Sequence, residues 1–523
     1  MRRVSEGPAA RKLESRVMLG TVKAFWNDQR GIAMILVAIM IPVLVGFAIL
    51  AIDFSRASGL HNDLQKGVDA LALAAAAELD GRADSTERAT RAATTLLTNK
   101  TLFSTSGGHT LAPGDVTITY LSGIPASDAI ALTAAGVDAN GVNWAAPDSK
   151  SAIFAEVTVN ASGLADGAGA FQTIFPVSLI GGSNTMDIQP QAVAGFVQSI
   201  CETVPIFMCN PFETDDPLTS KTIQQAFASG DTYSREFRIL KVDSNPGPGN
   251  FGLLQNGLTS IQEGMAKGTA GTCYSRTSLT TKTGVTLGQV NTGLNVRFDL
   301  YQGSLKNNKD LGYRPASNVR KGASKNSNCN KFDVATDGSA LPLPVGTGYD
   351  SAKGMTLPIP SNSFWTAYWA ANHKDASYPN LPAKTDPLKR NVPASRYDVY
   401  SYEIAAGIVG DKSKGPSNEV GTPSCYKGDL TKADPNRRLM NMAIIDCKAN
   451  QAKLNGHTAV RPDGYASVFI NNPIQKVNPN DEDNPESNGA EKPISLEIVD
   501  VDGGFANNTL VDKAFRNEAQ LYR

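Results

Sequence analysis

Six cysteines are the residues of this 523-residue chain whose chemistry the sequence specifies most directly. All of them follow residue 200, and their number is even. An even set in an exported region predicts disulfides, because an oxidising compartment joins thiols that the fold brings together. Fifteen connectivities are possible, and pairing of neighbours along the chain predicts 201–209, 273–329 and 425–447. The disulfide candidates are Cys201, Cys209, Cys273, Cys329, Cys425 and Cys447.

Metal chemistry is not predicted. The chain has no C-x-x-C motif, and its four histidines are scattered, so the closely spaced ligands of a zinc site are missing. The acidic run 481–483 could bind calcium, but it lies within the polar, proline-punctuated stretch 478–493. A solvated loop is therefore the favoured interpretation of that run. No cofactor is expected.

Catalytic motifs are equally absent from the sequence. It contains no G-x-S-x-G, no H-E-x-x-H and no G-x-x-x-x-G-K-[ST], the patterns that place a nucleophile, a zinc ion or a phosphate. A glycosidase-like pair of acids stays open, because carboxylates are plentiful and sequence does not reveal which of them face each other. The sequence thus predicts a protein that is not an enzyme, with a membrane-tethered hydrolase as a remote alternative.

An aromatic cluster, FWTAYWAANH at 364–373, permits two interpretations. If exposed, Trp365 and Trp369 would form a stacking platform for a sugar, as in a surface adhesin or a carbohydrate-binding protein. If buried, they would join Phe364 and Tyr368 in an ordinary core. The buried interpretation is favoured, since large aromatic side chains contribute most to cores.

The element that must position everything else is an uncharged apolar run from Gly31 to Ile52. As a helix its 22 residues extend about 33 Å, enough to cross a hydrocarbon core of about 30 Å. A cleaved signal peptide has a shorter core of roughly 7–15 apolar residues and a small-residue cleavage site. Here Asp53 and Arg56 follow directly, so an uncleaved signal anchor is predicted.

The charge distribution predicts an orientation. Residues 1–30 carry seven basic and three acidic groups, a net charge of +4, whereas the remainder carries −5. Basic flanks stay in the cytoplasm, so we expect a cytoplasmic N-terminus and a C-terminal bulk in the periplasm or at the cell surface. The overall charge of −1 offers no basic field for nucleic acid.

Beyond the membrane run, small and apolar residues recur every three or four positions to about Leu79, the pattern of one helix face. That face either covers the protein's own sheet, which is favoured, or packs on partner helices. The partner-helix packing candidates are Leu60, Leu64, Val68, Leu71 and Ala75.

The remaining pattern is typical of an α+β protein. Gly81 is expected to stop the helix, and Asp84 with Glu87 predicts a capping box that opens a second helix to about Asn99. Alternating runs then predict a small antiparallel sheet at 115–121, 152–160, 171–180 and 186–197, and a larger β-rich, disulfide-braced domain with strands at 234–242, 295–301, 395–410, 437–447 and 465–474. The expected organisation is a basic tail 1–30, a transmembrane helix 31–52, an α/β domain 53–198 and a β-rich extracytoplasmic domain 199–523.

Residues 28–79 resemble the N-terminal domain of TadG-like proteins of the tight adherence (Tad/Flp) pilus system. The resemblance is carried by Gly31, Pro42, Asp53 and the Gln65–Ala77 phrase QKGVDALALAAAA. Ala-Val-Ala-Gly at 192–195 and the Cys–Pro–Cys–Asn–Pro segment at 200–213 resemble later parts of such proteins. The resemblance implies a pilin-like α/β domain and a role in pilus assembly, in the bacterial inner membrane, with pilin, pseudopilins and the inner-membrane platform as partners.

Two departures from related patterns refine this expectation. Pilins and TadE-type pseudopilins carry a Glu five residues into the mature segment, where this chain has Leu36; an intact anchor is therefore expected rather than a processed filament subunit. Many TadG-like proteins also contain an Asp-x-Ser-x-Ser metal site. The nearest match, Asp411 to Gly415, lacks the second Ser and carries two lysines that would repel a cation, so no metal is expected there.

Overall fold

The computed structural model describes residues 29–81, 84–95, 113–125, 127, 129–133, 135–149, 151–159, 170–216, 218–241, 246–284, 287–323, 329–330, 335, 337–373, 377–381, 384–385, 391–410, 419–454, 456–474, 493–503 and 511–522. Its α-helices are α1 Gln29–Ala76, α2 Ser85–Thr95, α3 Ile223–Ala228, α4 Ile261–Lys267, α5 Leu287–Asn295, α6 Thr366–Asn372, α7 Arg396–Ala405 and α8 Cys447–Asn450. Its strands are β1 Val116–Leu121, β2 Phe154–Val159, β3 Ala170–Gln172, β4 Thr185–Asp187, β5 Gln191–Ile200, β6 Ile206–Cys209, β7 Phe237–Lys241, β8 Asn250–Leu254, β9 Tyr274–Ser275, β10 Leu279–Lys282, β11 Lys384–Thr385, β12 Asn391–Val392, β13 Leu439–Ile445, β14 Ala459–Val460, β15 Gly464–Ile470, β16 Ile494–Val501 and β17 Phe515–Leu521.

The chain forms two compact units. The first comprises Met1–Val197 together with Glu518–Arg523, and the second comprises Gln198–Asn517. The mixture of a long apolar helix, further helices, sheets and disulfides confirms the predicted α+β class. The return of the last residues to the first unit was not predicted from sequence.

Helix α1 dominates the first unit. Its 48 residues correspond to about 72 Å at ~1.5 Å per residue. Pro42 lies inside the helix, within the apolar part. The helix ends at Ala76, and Gly81 follows with a positive φ of 78°, a left-handed conformation that glycine adopts without strain.

The distal half of α1 lies on a sheet of order β1-β2-β5-β17. β1 and β2 pair antiparallel from Val116↔Val159, and β2 and β5 from Phe154↔Gly195. Many of the packed residues are alanines, whose small side chains let helix and strands approach closely. One core cluster joins the α1 stripe to α2 and to the sheet; its members include Leu60, Leu64, Val68, Leu71, Ala75, Ala89, Ala93, Val157 and Ala194.

This burial decides between the two uses that the sequence left open for the stripe. Leu60, Leu64, Val68, Leu71 and Ala75 have exposed fractions of 0–3 % and pack within their own unit. Within this unit they are therefore part of the core and are not exposed to a partner helix.

The second unit is built on an eight-stranded sheet of order β14-β10-β8-β6-β13-β15-β16-β7. β7 also pairs with β8 in parallel, so six of the strands close into a ring and leave no free edges between them. Alternate residues of each strand face different cores: in β13, Met442 and Ile444 join the cluster that includes α4 and α5, whereas Ala443 and Ile445 join another.

All six cysteines are paired, but the predicted connectivity is wrong. The disulfides join Cys201 to Cys273, Cys209 to Cys447 and Cys329 to Cys425. The reason is tertiary: β6 and β13 pair in parallel, with Cys209 opposite Ile445, which places residues 238 positions apart next to each other. Pairing of neighbours along the chain ignores such long-range strand contacts.

Three predicted strands are also wrong. Residues 395–410 contain α7, because Ser395 and Asp398 form a capping box and the buried Arg396, Val399 and Glu403 follow helical spacing. Residues 295–301 form a short 3₁₀-helix that ends at Asp299 with φ 61°. Of 171–180, only the first residues form a strand, and a 3₁₀-helix at Val177–Ile180 follows.

Candidate functional site

The first candidate site is the apolar part of α1. Among the described residues, this is the one helix long and apolar enough to cross a membrane. Every side chain from Met34 to Val45 is exposed, Met34 by 73 %. A helix that is apolar all round is costly to leave in water and is typical of a membrane span. Leu36, at 56 % exposure, lies in this part.

Asp53, at the end of the apolar run, joins α1 to the β3–β4 hairpin of the same unit. Its Oδ1 accepts a hydrogen bond from the Ile174 amide at 2.9 Å, and its Oδ2 accepts one from the Phe175 amide at 2.7 Å. Arg56 lies 3.6 Å from the same carboxylate. Asp53 is buried, and its two charge-assisted bonds hold the hairpin against the helix.

The hairpin also reaches the apolar run itself. A methyl group placed on Gly46 would lie 3.4 Å from Cε2 of the Phe175 ring. Within residues 34–52, Gly46 and Ile49 are the positions that are partly covered. Together with Asp53 they follow helical spacing along one face, so the hairpin lies along that face of α1.

A second candidate site is a cavity of about 430 Å³ in the second unit. Three carboxylates and two lysines are among its lining residues, and a pair of carboxylates is what the hydrolase hypothesis requires. Its lining residues are Asn210, Thr214, Asp215, Ser220, Lys221, Thr222, Asp446, Lys448, Ala449 and Asp463.

The carboxylates near this cavity are electrostatically unusual. Burial and the neighbouring Asp446 raise the pKa of Glu213 to about 8. Burial raises the pKa of Asp463 to about 6, although bonds from the Ile223 amide and from Asn210 oppose the shift. Perturbed acids in a cleft are candidates for acid–base catalysis.

The contacts of these acids indicate a structural role. Oε2 of Glu213 accepts bonds from the Cys447 and Lys448 amides. Glu213 is 3 % exposed and is not among the residues lining the cavity. Oδ2 of Asp463 accepts from the Ile223 amide at 2.9 Å, and Asp446 caps α8 by accepting from Ala449. Each acid thus holds a chain segment in place.

A metal at this position does not fit the donor set. Cys209, Glu213 and Cys447 bring possible ligand atoms within 4.8 Å of one another. The two sulfur atoms, however, are bonded to each other, and a disulfide lacks the thiolates that bind a metal.

The tryptophan cluster belongs to a core, so the interpretation as an exposed platform is wrong. Trp365 and Trp369 are 0 % and 3 % exposed, and they pack with Tyr368, Val399 and other residues of the second unit. Nε1 of Trp365 donates to the carbonyl of Ala394 at 3.1 Å. No ring face of either tryptophan is available to a ligand.

The same core contains a buried charged network centred on Glu403. Its carboxylate accepts from Tyr368 Oη at 2.9 Å and from Asn318 Nδ2 at 2.6 Å, and it contacts His373 Nε2 at 2.7 Å. Burial alone would raise the pKa of Glu403, but Arg320 and the His373 bond outweigh it and hold that pKa below its usual range. The network satisfies a charge within a core, and Glu403 is fully buried.

Several predicted features lie outside the described residues: the basic tail up to residue 28, Asp411 to Gly415 and the acidic run 481–483. The hairpin contact of Asp53 was missed from sequence. The sequence does contain one indication of this contact. Residues 167–186 are twenty positions without a charged residue, which is unusually apolar for a surface connection.

Comparison with known proteins identifies the region that contains this helix. Residues 31–78 match the family described as putative Flp pilus-assembly TadE/G-like, in agreement with the resemblance found in the sequence. The matched residues cover the apolar part of α1, Asp53 and the buried stripe. No curated protein and no solved structure matches the chain.

Proposed function

We propose that this chain is a membrane-anchored, non-enzymatic component of Flp pilus assembly. One observation carries the proposal: the residues that match the family, 31–78, form a single helix whose two halves differ in character. The first half is apolar and exposed, and the second half forms the core of an α/β unit. This is the design of a pilin-like protein, in which one helix serves both the membrane and the folded head.

The charges of the chain support an orientation for the anchor. The net charge of +4 before Gly31 favours a cytoplasmic N-terminus. Both units then lie on the far side of the inner membrane, where an oxidising environment would allow the three disulfides to form.

The partners in this proposal are pilin, pseudopilins and the inner-membrane platform. Because the stripe from Leu60 to Ala75 is buried within its own unit, helical partners would contact the membrane part of α1. Leu44 is 59 % exposed there. Its side chain, and those around it, offer the packing surface that helices use within bilayers.

Site-specific photocross-linking in cells that assemble pili tests the proposal. A photoreactive residue at Leu44 is expected to capture a small membrane protein of the pilus system, whereas the same residue at Val142, an exposed position of the first unit, is the matched control. Deletion of the chain is expected to abolish pili, with recovery on re-expression. Normal pili in the deletion strain, together with no protein adduct at Leu44, would overturn the proposal.

The structure gives little support to the two alternative functions, a surface adhesin and a membrane-tethered hydrolase. An adhesin that used the tryptophan cluster would need exposed rings, and these rings are buried. A hydrolase would need perturbed acids that are free to act in the cavity. Asp463 does line the cavity, but its Oδ2 accepts bonds from Asn210 and the Ile223 amide, and Glu213 is engaged with backbone amides. If deletion left pili intact but removed attachment, the adhesin would become the better explanation.

A further inference from the structure

The β3–β4 hairpin of the first unit has a composition unlike that of a water-exposed turn. Residues 167–186 contain no charged side chain. At the described tip, Ile174 is 57 % exposed and Pro176 is also exposed, while Phe175 and Val177 are partly covered. An apolar tip of this kind requires an apolar environment.

The position of the tip along α1 indicates what that environment is. Asp53 binds the Ile174 and Phe175 amides, and the Phe175 ring lies against Gly46. Gly46 is six residues before Ile52, the last residue of the apolar run, which corresponds to about 9 Å along the helix. The ring therefore lies well inside the apolar run, not beside its polar end.

We infer that the tip of this hairpin, Thr173–Val177, inserts into the outer half of the bilayer beside α1. The inference rests on the proposed membrane anchoring. Whatever phase surrounds Gly46 must also surround a side chain that touches it, so a span in hydrocarbon carries the hairpin tip into hydrocarbon.

The backbone of the tip is compatible with this environment. Unpaired backbone amides are costly in lipid, and the amides of Ile174 and Phe175 are both bonded to Asp53. The Val177 amide donates to the carbonyl of Phe175 at 2.8 Å. The first unit thus has two membrane contacts, a helix and a hairpin. Two contacts restrict the tilt of the unit relative to the bilayer, whereas a single helix would leave the unit free to tilt.

A depth measurement on the full chain tests the inference. The six native cysteines are paired in disulfides, so a cysteine introduced as Ile174→Cys offers a selectively reactive thiol. The probe is a nitrobenzoxadiazole fluorophore on that thiol, in vesicles of phosphatidylethanolamine and phosphatidylglycerol with nitroxide-labelled acyl chains. Met40→Cys, within the span, and Val142→Cys, exposed on the same unit, are the two references.

The expected result is quenching and a blue-shifted emission at position 174 that approach those at position 40, with neither at position 142. Asp53→Asn replaces one of the two acceptor oxygens by an amide donor that faces a backbone donor, so it is expected to reduce quenching at position 174 and leave position 40 unchanged. Quenching at position 40 together with water-like emission at position 174 overturns the hairpin inference while the anchor stands. Water-like emission at both positions overturns the anchor and the proposed function with it.

Discussion

Glu213→Gln is the substitution whose effect the structure specifies best. With a pKa of about 8 against an ordinary value of 4.5, the folded protein keeps this proton through a range in which the unfolded chain releases it. Stability must therefore fall as pH rises from about 4.5 to 8. Glutamine has the same shape, keeps an oxygen for the Cys447 and Lys448 amides and carries no charge to repel Asp446.

The magnitude follows from linkage. Each pH unit in that range changes the free energy of unfolding by about 1.36 kcal/mol per proton, which bounds the whole effect at roughly 4–5 kcal/mol. Water at the rim of the neighbouring cavity weakens the effect, so we expect Glu213→Gln to be neutral at pH 4.5 and about 2 kcal/mol more stable than wild type at pH 8. For a unit of this size that corresponds to a rise in Tm of roughly 3 °C.

The assay is thermal unfolding of the full chain in nanodiscs at several pH values. Fluorescence of the buried Trp365 and Trp369 reports on the second unit. Asp215→Asn is the control, because it removes an exposed carboxylate from the same loop and leaves the buried Glu213 in place. A Glu213→Gln protein that is less stable than wild type at pH 8, or equally changed at every pH, would refute the argument that Glu213 is folded in its neutral form.

Three further predictions concern the cores and the disulfides. Leu64→Ala removes a fully buried side chain from the first unit and should cost about 2–4 kcal/mol, seen as faster proteolysis of that unit, whereas Lys66→Ala on the exposed face should change it little. Joint replacement of Cys329 and Cys425 by Ser opens a disulfide that spans 96 residues and should cost about 2–5 kcal/mol; an unchanged Tm in the Trp fluorescence melt would contradict this. Glu403→Gln breaks a buried ionic network and should cost about 3–5 kcal/mol at pH 7. Since the pKa of Glu403 is lowered, that difference should shrink as pH falls below about 4.5, because the unfolded chain then takes up a proton that the folded protein binds only at a lower pH.

The features that the sequence predicted well depend on residues that are close together in the chain. The apolar run and the stripe that follows it are repeated patterns within one helix, and both appear in α1. The strands at 115–121, 152–160 and 437–447 show alternation or continuous apolar character, and strands occupy those segments. The alternation of Tyr400 and Tyr402 with polar residues favours a strand in the segment that forms α7, while the capping pair at Ser395 and Asp398 favours a helix.

What sequence missed depends on pairs of residues far apart in the chain. The disulfide between Cys209 and Cys447 follows from a parallel strand contact. No pattern in the residues near either cysteine predicts it. The contact of Asp53 with Phe175 joins residues 122 positions apart. Likewise, a raised pKa such as that of Glu213 is set by burial and by Asp446, and both are properties of the folded unit.

Leu36 connects the helix to the kind of component this chain is proposed to be. A carboxylate at that depth would need a partner, because an unpaired charge in the bilayer costs at least about 2.5 kcal/mol even on the mildest scales. Leu36 needs none, so this position adds no electrostatic cost to the proposed membrane span. The Asp53-bound hairpin would add a second apolar contact with the bilayer.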